Sequence, residues 1–233
     1  MNPSKRPLFF MRFSAGPAAS DPGGPGDGKT SNPMEKILLL ATRNAGKQRE
    51  MQALLAGSGW KVLSLADVEP VPDVEEDGNT FLENAFKKAV AVSRHTGRMA
   101  LADDSGLEVS ALGGWPGVRS ARYARGPGST DEENVHRVLE EMCAIPDENR
   151  NARFVCAAVV ASENRILFQT EQSVEGYITR RPDGSEGFGY DPIFYFPAFK
   201  KTFAAIPPPV KNTISHRGKA MREVTEFLNN YSD

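Results

Sequence analysis

Four consecutive aliphatic residues, Ile37 to Leu40, run directly into Ala41-Thr-Arg-Asn-Ala-Gly-Lys47 and then into a helical apolar pattern. A short apolar run followed by polar turn residues reads as a buried strand, while Met51, Leu54 and Leu55 fall on one face of a helix. The chain must therefore pass from a covered strand into a helix within a few small residues, the opening unit of an α/β sheet. Free backbone N–H groups and the positive end of a helix dipole meet at such a turn, which suits an anion such as phosphate. A second apolar run ends in Leu101-Ala-Asp-Asp-Ser-Gly106. That puts carboxylates at a strand end, as a magnesium site wants.

Strand and helix signals alternate from Glu35 onward. Gly57 and Gly59 close the first helix, Trp60–Leu63 begins a second strand, and residues 66–78 form a Pro- and acid-rich loop. Asn79 or Thr80 is placed to cap a helix through His95, with Glu83 completing a capping box after Thr80. Leu82, Phe86, Ala89 and Val90 are its expected core face. Gly97 stops it and Met99–Ala102 is extended. Asp131–Met142 reads as a helix, Arg153–Ala161 and Arg165–Val174 as an antiparallel hairpin about Ser162-Glu-Asn164. The last helix runs from His216 to Asn229, with Ala220, Val224, Phe227 and Leu228 inward. The expected fold is α/β with mixed strand directions, in two lobes around a cleft.

Composition narrows the function. The chain has 233 residues, 39% hydrophobic and 25% charged, as a globular protein does. Its net charge is −2, yet residues 1–33 hold four basic and two acidic side chains, so the body carries 24 basic against 28 acidic. A mildly acidic body argues against a broad nucleic-acid footprint, which would need a basic face, and leaves room for a local basic pocket. No apolar run approaches the ~20 residues of a membrane span. Residues 14–33 are mostly Gly, Pro, Ser, Ala and Asp, so 1–33 is expected to be a disordered extension and 34–233 the folded domain. Lys5, Arg6 and Arg12 flank the apolar Leu8–Met11, too short for a secretory signal. Only Cys143 and Cys156 occur, which points to a reducing, cytoplasmic setting. Cys156 lies in an apolar run and is expected to be buried and inert.

The chemistry-bearing residues are few. Thr42, Asn44 and Lys47 suit a phosphate loop, although a Walker A motif is absent: its first glycine is Ala41 and its hydroxyl is Gln48. Asp103 and Asp104 are adjacent on a strand and point to opposite faces, so one is expected to face the cleft and the other to be structural. Glu75, Glu76, Asp77 and Glu83 are further acids, relevant because magnesium takes one or two protein carboxylates plus substrate phosphates. Phe188, in the glycine-punctuated Glu186–Pro192 loop, could stack on a base, worth ~1–3 kcal/mol. Lys211 and Ser215-His216-Arg217 add donors at a helix start.

Jointly, seven stretches resemble the inosine/xanthosine triphosphate pyrophosphatase family, in that family's order, over about residues 35–230. They are Ala41–Lys47, Thr80–Ala85, Ala102–Gly106, Gly113-Gly-Trp-Pro-Gly117, Ser120-Ala-Arg-Tyr123, Gly187-Phe-Gly-Tyr-Asp-Pro192 and Ser215–Gly218. The resemblance implies a long mixed central sheet, a homodimer, a Mg²⁺ requirement and hydrolysis of ITP, dITP and XTP to monophosphate and pyrophosphate. By the same resemblance, Thr42, Arg43, Asn44, Ala45, Gly46 and Lys47 form the triphosphate loop. Asp104 is the proton acceptor and a metal ligand, Glu75 the second metal carboxylate and Ser105 a substrate contact. Phe188, Gly189, Tyr190, Asp191, Lys211, His216 and Arg217 match base and phosphate contacts. Two departures stand out. Arg43 occupies a position often filled by glycine. Pro207–Pro209 replace a helix-friendly segment, and proline fixes φ and lacks an N–H. The alternatives are a pyrophosphatase for modified pyrimidine or methylated nucleotides, and a non-catalytic nucleotide-binding module.

Overall fold

In the computed structural model, which describes residues 35–232, the first apolar run forms β1 (Ile37–Leu40) and passes into α1 (Ala45–Leu55). The expectation for residues 1–33 lies outside the described residues. There follow β2 (Lys61–Leu63), α2 (Phe81–Thr96), β3 (Ala100–Val109), α3 (Asp131–Glu141), β4 (Asn151–Ser162) and β5 (Arg165–Ile178). The chain closes with β6 (Phe194–Phe196), β7 (Lys201–Thr202), α4 (Pro208–Ile214) and α5 (His216–Asn230). Seven strands form one sheet in the order β2-β1-β3-β4-β5-β6-β7. β1 pairs in parallel with β2 and β3, with α1 and α2 supplying the crossovers that parallel neighbours need. All later pairs are antiparallel.

Two lobes share the long strands β3, β4 and β5. In the first, Leu39, Ala41, Ala100 and Ala102 pack under Phe81, Ala85, Ala89 and Val92 of α2. On the opposite face Leu38, Leu40 and Leu101 meet Met51 and Leu55 of α1 and Ala220, Met221, Val224 and Leu228 of α5. In the second lobe the far ends of the same strands, Leu107, Val109, Phe154, Val174 and Ile178, pack with α3, β6 and Phe203.

The inward face of α2 differs from the periodicity reading. Phe86 is 46% exposed, and Leu82 and Val90 are half-buried. The true face is Phe81, Asn84, Ala85, Lys88, Ala89, Val92 and Ser93, which keeps helical spacing but includes three polar residues. Thr80 and Glu83 do form the capping box, and Gly97 ends the helix in the left-handed region. The three prolines do not prevent a helix before Ser215. Pro208 and Pro209 open α4, where N–H groups have no intrahelical partner to lose, and Lys211 follows one turn later.

A turn from Gly117 to Arg122 crosses β3 at Gly106, where a Cβ would lie 2.3 Å from Ser120 Oγ. Ser120 Oγ accepts the Leu107 N–H at 2.9 Å and donates to the Gly117 carbonyl at 2.7 Å. This glycine therefore fixes how closely the turn approaches the strand.

Candidate active site

The end of β1 and the first turn of α1 form one wall of the cleft. Asn44 caps α1, its Oδ1 accepting the Lys47 N–H at 2.9 Å, and Thr42 Oγ1 accepts the Asn44 N–H at 3.2 Å. Ala45 and Gly46 follow the cap, so their N–H groups have no acceptor within the helix. Lys47 reaches inward, with Nζ 3.4 Å from Asp103 Oδ1. Arg43 turns away to the 71–73 loop, donating to the Val71 carbonyl at 2.6 Å and pairing with Asp73.

The adjacent aspartates occupy opposite faces of β3. Asp103 is fully buried toward α1 and α5, where its Oδ2 accepts from Arg217 Nε and Nη2 at 3.1 and 3.0 Å and from Ser105 Oγ at 3.0 Å. Asp104 faces α2. Its Oδ1 accepts from Lys88 Nζ at 3.0 Å and its Oδ2 from Asn84 Nδ2 at 3.2 Å. Lys88 also donates to Glu76 Oε2 at 2.9 Å and to the Asp103 carbonyl at 2.8 Å. Thus Glu76, rather than the Glu75 expected from the resemblance, sits beside Asp104. Exposure alternates from Val74 to Gly78, so only one of two neighbouring glutamates can face the cleft, and Glu75 is the exposed one. A cavity of about 370 Å³ is lined by Thr42, Asn44, Lys47, Glu76, Lys88, Asp104, Ser105 and Arg122.

A smaller cavity, about 70 Å³, adjoins it through Asn44, Lys47 and Ser105 and is lined by Phe154, Phe188, Gly189, Tyr190, Asp191, Lys211, His216 and Arg217. The Phe188 ring lies against α1, where a Cβ on Gly46 would come within 2.7 Å of it, so only glycine fits there. Its backbone N–H donates to Asp191 Oδ2 at 2.9 Å, and the Gly189 N–H donates to Asp131 Oδ2 at 2.7 Å. Tyr190 OH donates to the Ser120 carbonyl at 2.9 Å. Lys211 Nζ pairs with Asp191 and, at 2.8 Å, with Glu50, which also takes Arg217 Nη1 at 2.6 Å. Ser215 caps α5, accepting the Gly218 N–H at 3.0 Å, which places His216 and Arg217 in the first turn facing the cleft. His216 stacks on Phe154 with centroids 4.7 Å apart, and its Nδ1 is buried without a protein partner among the described residues.

Charge and burial set the protonation states. Burial alone would raise the Asp103 carboxyl, but Lys47, Arg217 and Lys88 outweigh it and hold the group well below the usual carboxylate range. Asp104 is pushed upward, mainly by burial and further by the Glu76 charge, against the pull of Lys88 and Lys47. Glu76 is also opposed by burial, yet Lys88 wins and lowers it. His216 is held neutral by burial, with Arg217 and Lys211 adding to the effect. Burial raises the Cys156 thiol to about 12, so the cysteine is inert as expected.

Two stability results follow. Asp103→Asn leaves buried Arg217 without its main counter-charge, and breaking a buried pair costs about 3–5 kcal/mol. Denaturant unfolding checks this; a loss below 1 kcal/mol would contradict the structural role. For His216 the folded pKa lies below the unfolded value of ~6.5, so below that pH only the unfolded chain takes up the proton. Stability from this group is therefore full above pH ~6.5 and falls as the pH drops, by up to about 1.4 kcal/mol per unit. His216→Gln should flatten the slope between pH 6.5 and 5.5; an unchanged slope would assign it to other groups.

Sequence reasoning missed Glu50, Asn84, Lys88, Arg122 and Asp131. Asn84 and Lys88 had a signal: they fall at positions 84 and 88 of the buried face of α2. Glu50 lies one turn beyond Lys47 on α1, which a helical projection of the phosphate loop reveals.

A family model described as the Ham1 family matches residues 38–227. A dITP/XTP pyrophosphatase of Geobacillus kaustophilus is 50% identical over 191 residues, covering 82% of this chain and 93% of that protein. One from Desulforamulus reducens is 48% identical over 192 residues, covering 82% of this chain and 95% of that protein. The structure of a HAM1 protein from Coxiella burnetii matches with a TM-score of 0.76 at 42% identity, covering 84% of this chain and all of that one. The Staphylococcus aureus Ham1 protein matches with a TM-score of 0.73 at 37% identity, covering 83% and 98% of the two chains. The fold, the ordered motifs and these matches together establish that the chain belongs to the Ham1 family.

Proposed function

We propose that this protein hydrolyses non-standard purine nucleoside triphosphates, ITP, dITP and XTP, to the monophosphate and pyrophosphate. The observation that carries the reading is the pair of joined cavities. One holds cations and two carboxylates suited to a polyphosphate, the other an aromatic slot with an unpartnered buried ring nitrogen. Its relatives named dITP/XTP pyrophosphatase support the same substrates.

In this reading the N–H groups of the α1 first turn and Lys47 hold the phosphate tail. Asp104 takes a proton from water as the water oxygen bonds to the α-phosphorus, and the bond to the bridging oxygen breaks to release pyrophosphate. Phe188 stacks on the base, and His216 meets its edge. Lys88, donating to both, keeps Asp104 and Glu76 side by side.

Glu76 and Asp104 fit a magnesium ion. They are two hard oxygen donors on the phosphate cavity, and the charge of one disfavours ionisation of the other, which a cation relieves. Among the described residues no group of three or more His, Cys, Asp or Glu gathers, and magnesium needs only one or two carboxylates besides phosphate oxygens. When bound there, it would neutralise phosphate charge and orient the tail. The reading also carries the homodimer implied by the family resemblance and the cytoplasmic setting implied by cysteine usage. Among the described residues no helix is long and apolar enough to cross a membrane.

The test is product analysis with ITP, XTP, dITP, dUTP and 7-methyl-GTP in magnesium. Monophosphate and pyrophosphate in equal amounts from the first three support the reading. Release of orthophosphate, or preference for dUTP or 7-methyl-GTP, rejects it.

A further inference from the structure

Four cationic side chains line the larger cavity: Arg43, Lys47, Lys88 and Arg122. Three already face carboxylates. Arg43 pairs with Asp73 at 3.1 Å, Lys47 with Asp103 at 3.4 Å, and Lys88 with Glu76 and Asp104 at 2.9 and 3.0 Å. Arg122 pairs with no carboxylate among the described residues. Its Nη2 donates to the Glu76 backbone carbonyl at 2.8 Å, and the rest of its fork has no protein acceptor among them. A carbonyl orients a guanidinium without cancelling its charge. The uncompensated cation of this cavity is therefore Arg122.

We propose that Arg122 binds the pyrophosphate portion of the substrate, the two phosphates that leave together. This rests on the pyrophosphatase reading and adds a residue to it. A polyphosphate brings several negative charges, whereas Lys47 and Lys88 mainly offset the carboxylates beside them. A cation without a carboxylate partner adds the larger net attraction. Arginine also presents two parallel N–H groups that match phosphate oxygens, which a lysine cannot. The side chain is pre-positioned rather than loose. Its turn is pinned to β3 through Ser120 Oγ and Leu107 N–H, and to the Phe188 loop through Tyr190 OH and the Ser120 carbonyl. The bond to the Glu76 carbonyl ties it to the loop that carries one of the two carboxylates. Thus the motif Ser120-Ala-Arg-Tyr123 gains a role: serine anchors the turn and arginine projects from it.

The experiment measures binding of inorganic pyrophosphate and of inosine monophosphate by calorimetry in magnesium chloride. For Arg122→Gln, pyrophosphate affinity should fall at least about tenfold, while monophosphate affinity stays within about twofold, since a charge-assisted phosphate bond is lost from one ligand only. Arg122→Lys keeps the charge without the fork and should show an intermediate loss. Arg125→Gln, a few residues along and paired with Glu133, should leave both affinities unchanged. Unchanged pyrophosphate binding in Arg122→Gln, or an equal loss for both ligands, overturns the assignment. Should the wild-type protein release no pyrophosphate from ITP, XTP or dITP, the reaction reading fails. The pyrophosphate difference between wild type and Arg122→Gln still decides the binding role separately.

Discussion

Asp104→Asn should lower kcat by at least about 100-fold, and by up to about 10⁴-fold, because general-base assistance is worth that much. The substitution is nearly isosteric. It removes the charge that, in the proposed reaction, would accept a proton and hold a metal ion, yet the amide oxygen still accepts from Lys88. The carboxyl of Asp104 is raised by burial and by Glu76, against Lys88 and Lys47. A base whose pKa moves toward the working pH transfers protons more effectively. Asp103 makes the necessary control, since it sits on the other strand face and serves Arg217, Ser105 and Lys47. Its Asn variant should lose stability and retain much of its turnover below the melting range. Steady-state kcat on both variants, each verified folded by circular dichroism, is the measurement. If Asp103→Asn abolishes turnover while Asp104→Asn does not, the assignment of the two carboxylates is reversed.

The control was legible before the structure, and the reason is simple. Strand alternation alone puts Asp103 and Asp104 on opposite faces. The β1 to α1 junction, the Thr80–Glu83 capping box and the β4–β5 hairpin were legible for the same reason, since each depends on residues close in sequence. What could not be read depended on partners far along the chain. Lys88 drew no sequence reading, and its place on the buried face makes sense only once Asp104, sixteen positions later, lies against it. The same fact explains the misread helix face: apolar periodicity discards the polar positions 84 and 88, which rotates the inferred face toward Phe86. Glu76 was displaced by one residue because an irregular loop gives no periodicity from which to choose between neighbouring glutamates. The prolines misled for a different reason. Their penalty belongs to helix interiors, whereas here they occupy the first turn of α4.

Base selectivity should be strong, with kcat/KM for ATP at least about 100-fold below that for ITP, within the 10⁴–10⁵ reach of sites that read a hydrogen-bonding group. The slot shows how. Arg217 spends its donors on Asp103, Glu50 and Ser105, and Lys211 spends its donors on Asp191 and Glu50. His216 Nδ1 is buried and without a protein partner among the described residues, and the ring is neutral. A neutral imidazole carries one N–H donor and one acceptor, and which nitrogen bears the proton follows its partner. Facing the C6 carbonyl of hypoxanthine or xanthine, Nδ1 would donate. Facing the C6 amino group of adenine, it would have to switch tautomer, or leave a donor against a donor at a cost of about 1–3 kcal/mol. GTP shares the carbonyl, so its rejection must arise at the 2-amino group and is measured separately by the GTP to ITP ratio. Ribose and deoxyribose forms should be treated alike, because no motif here reads the 2′-hydroxyl. The decisive comparison is kcat/KM for ITP, XTP, dITP, GTP and ATP in the wild type and in His216→Phe, which keeps the stack on Phe154. The variant should lose ITP activity far more than ATP activity and so narrow the ratio. Wild-type ATP turnover within about tenfold of ITP, or a ratio unchanged by His216→Phe, would remove His216 from base recognition even if pyrophosphate were still released.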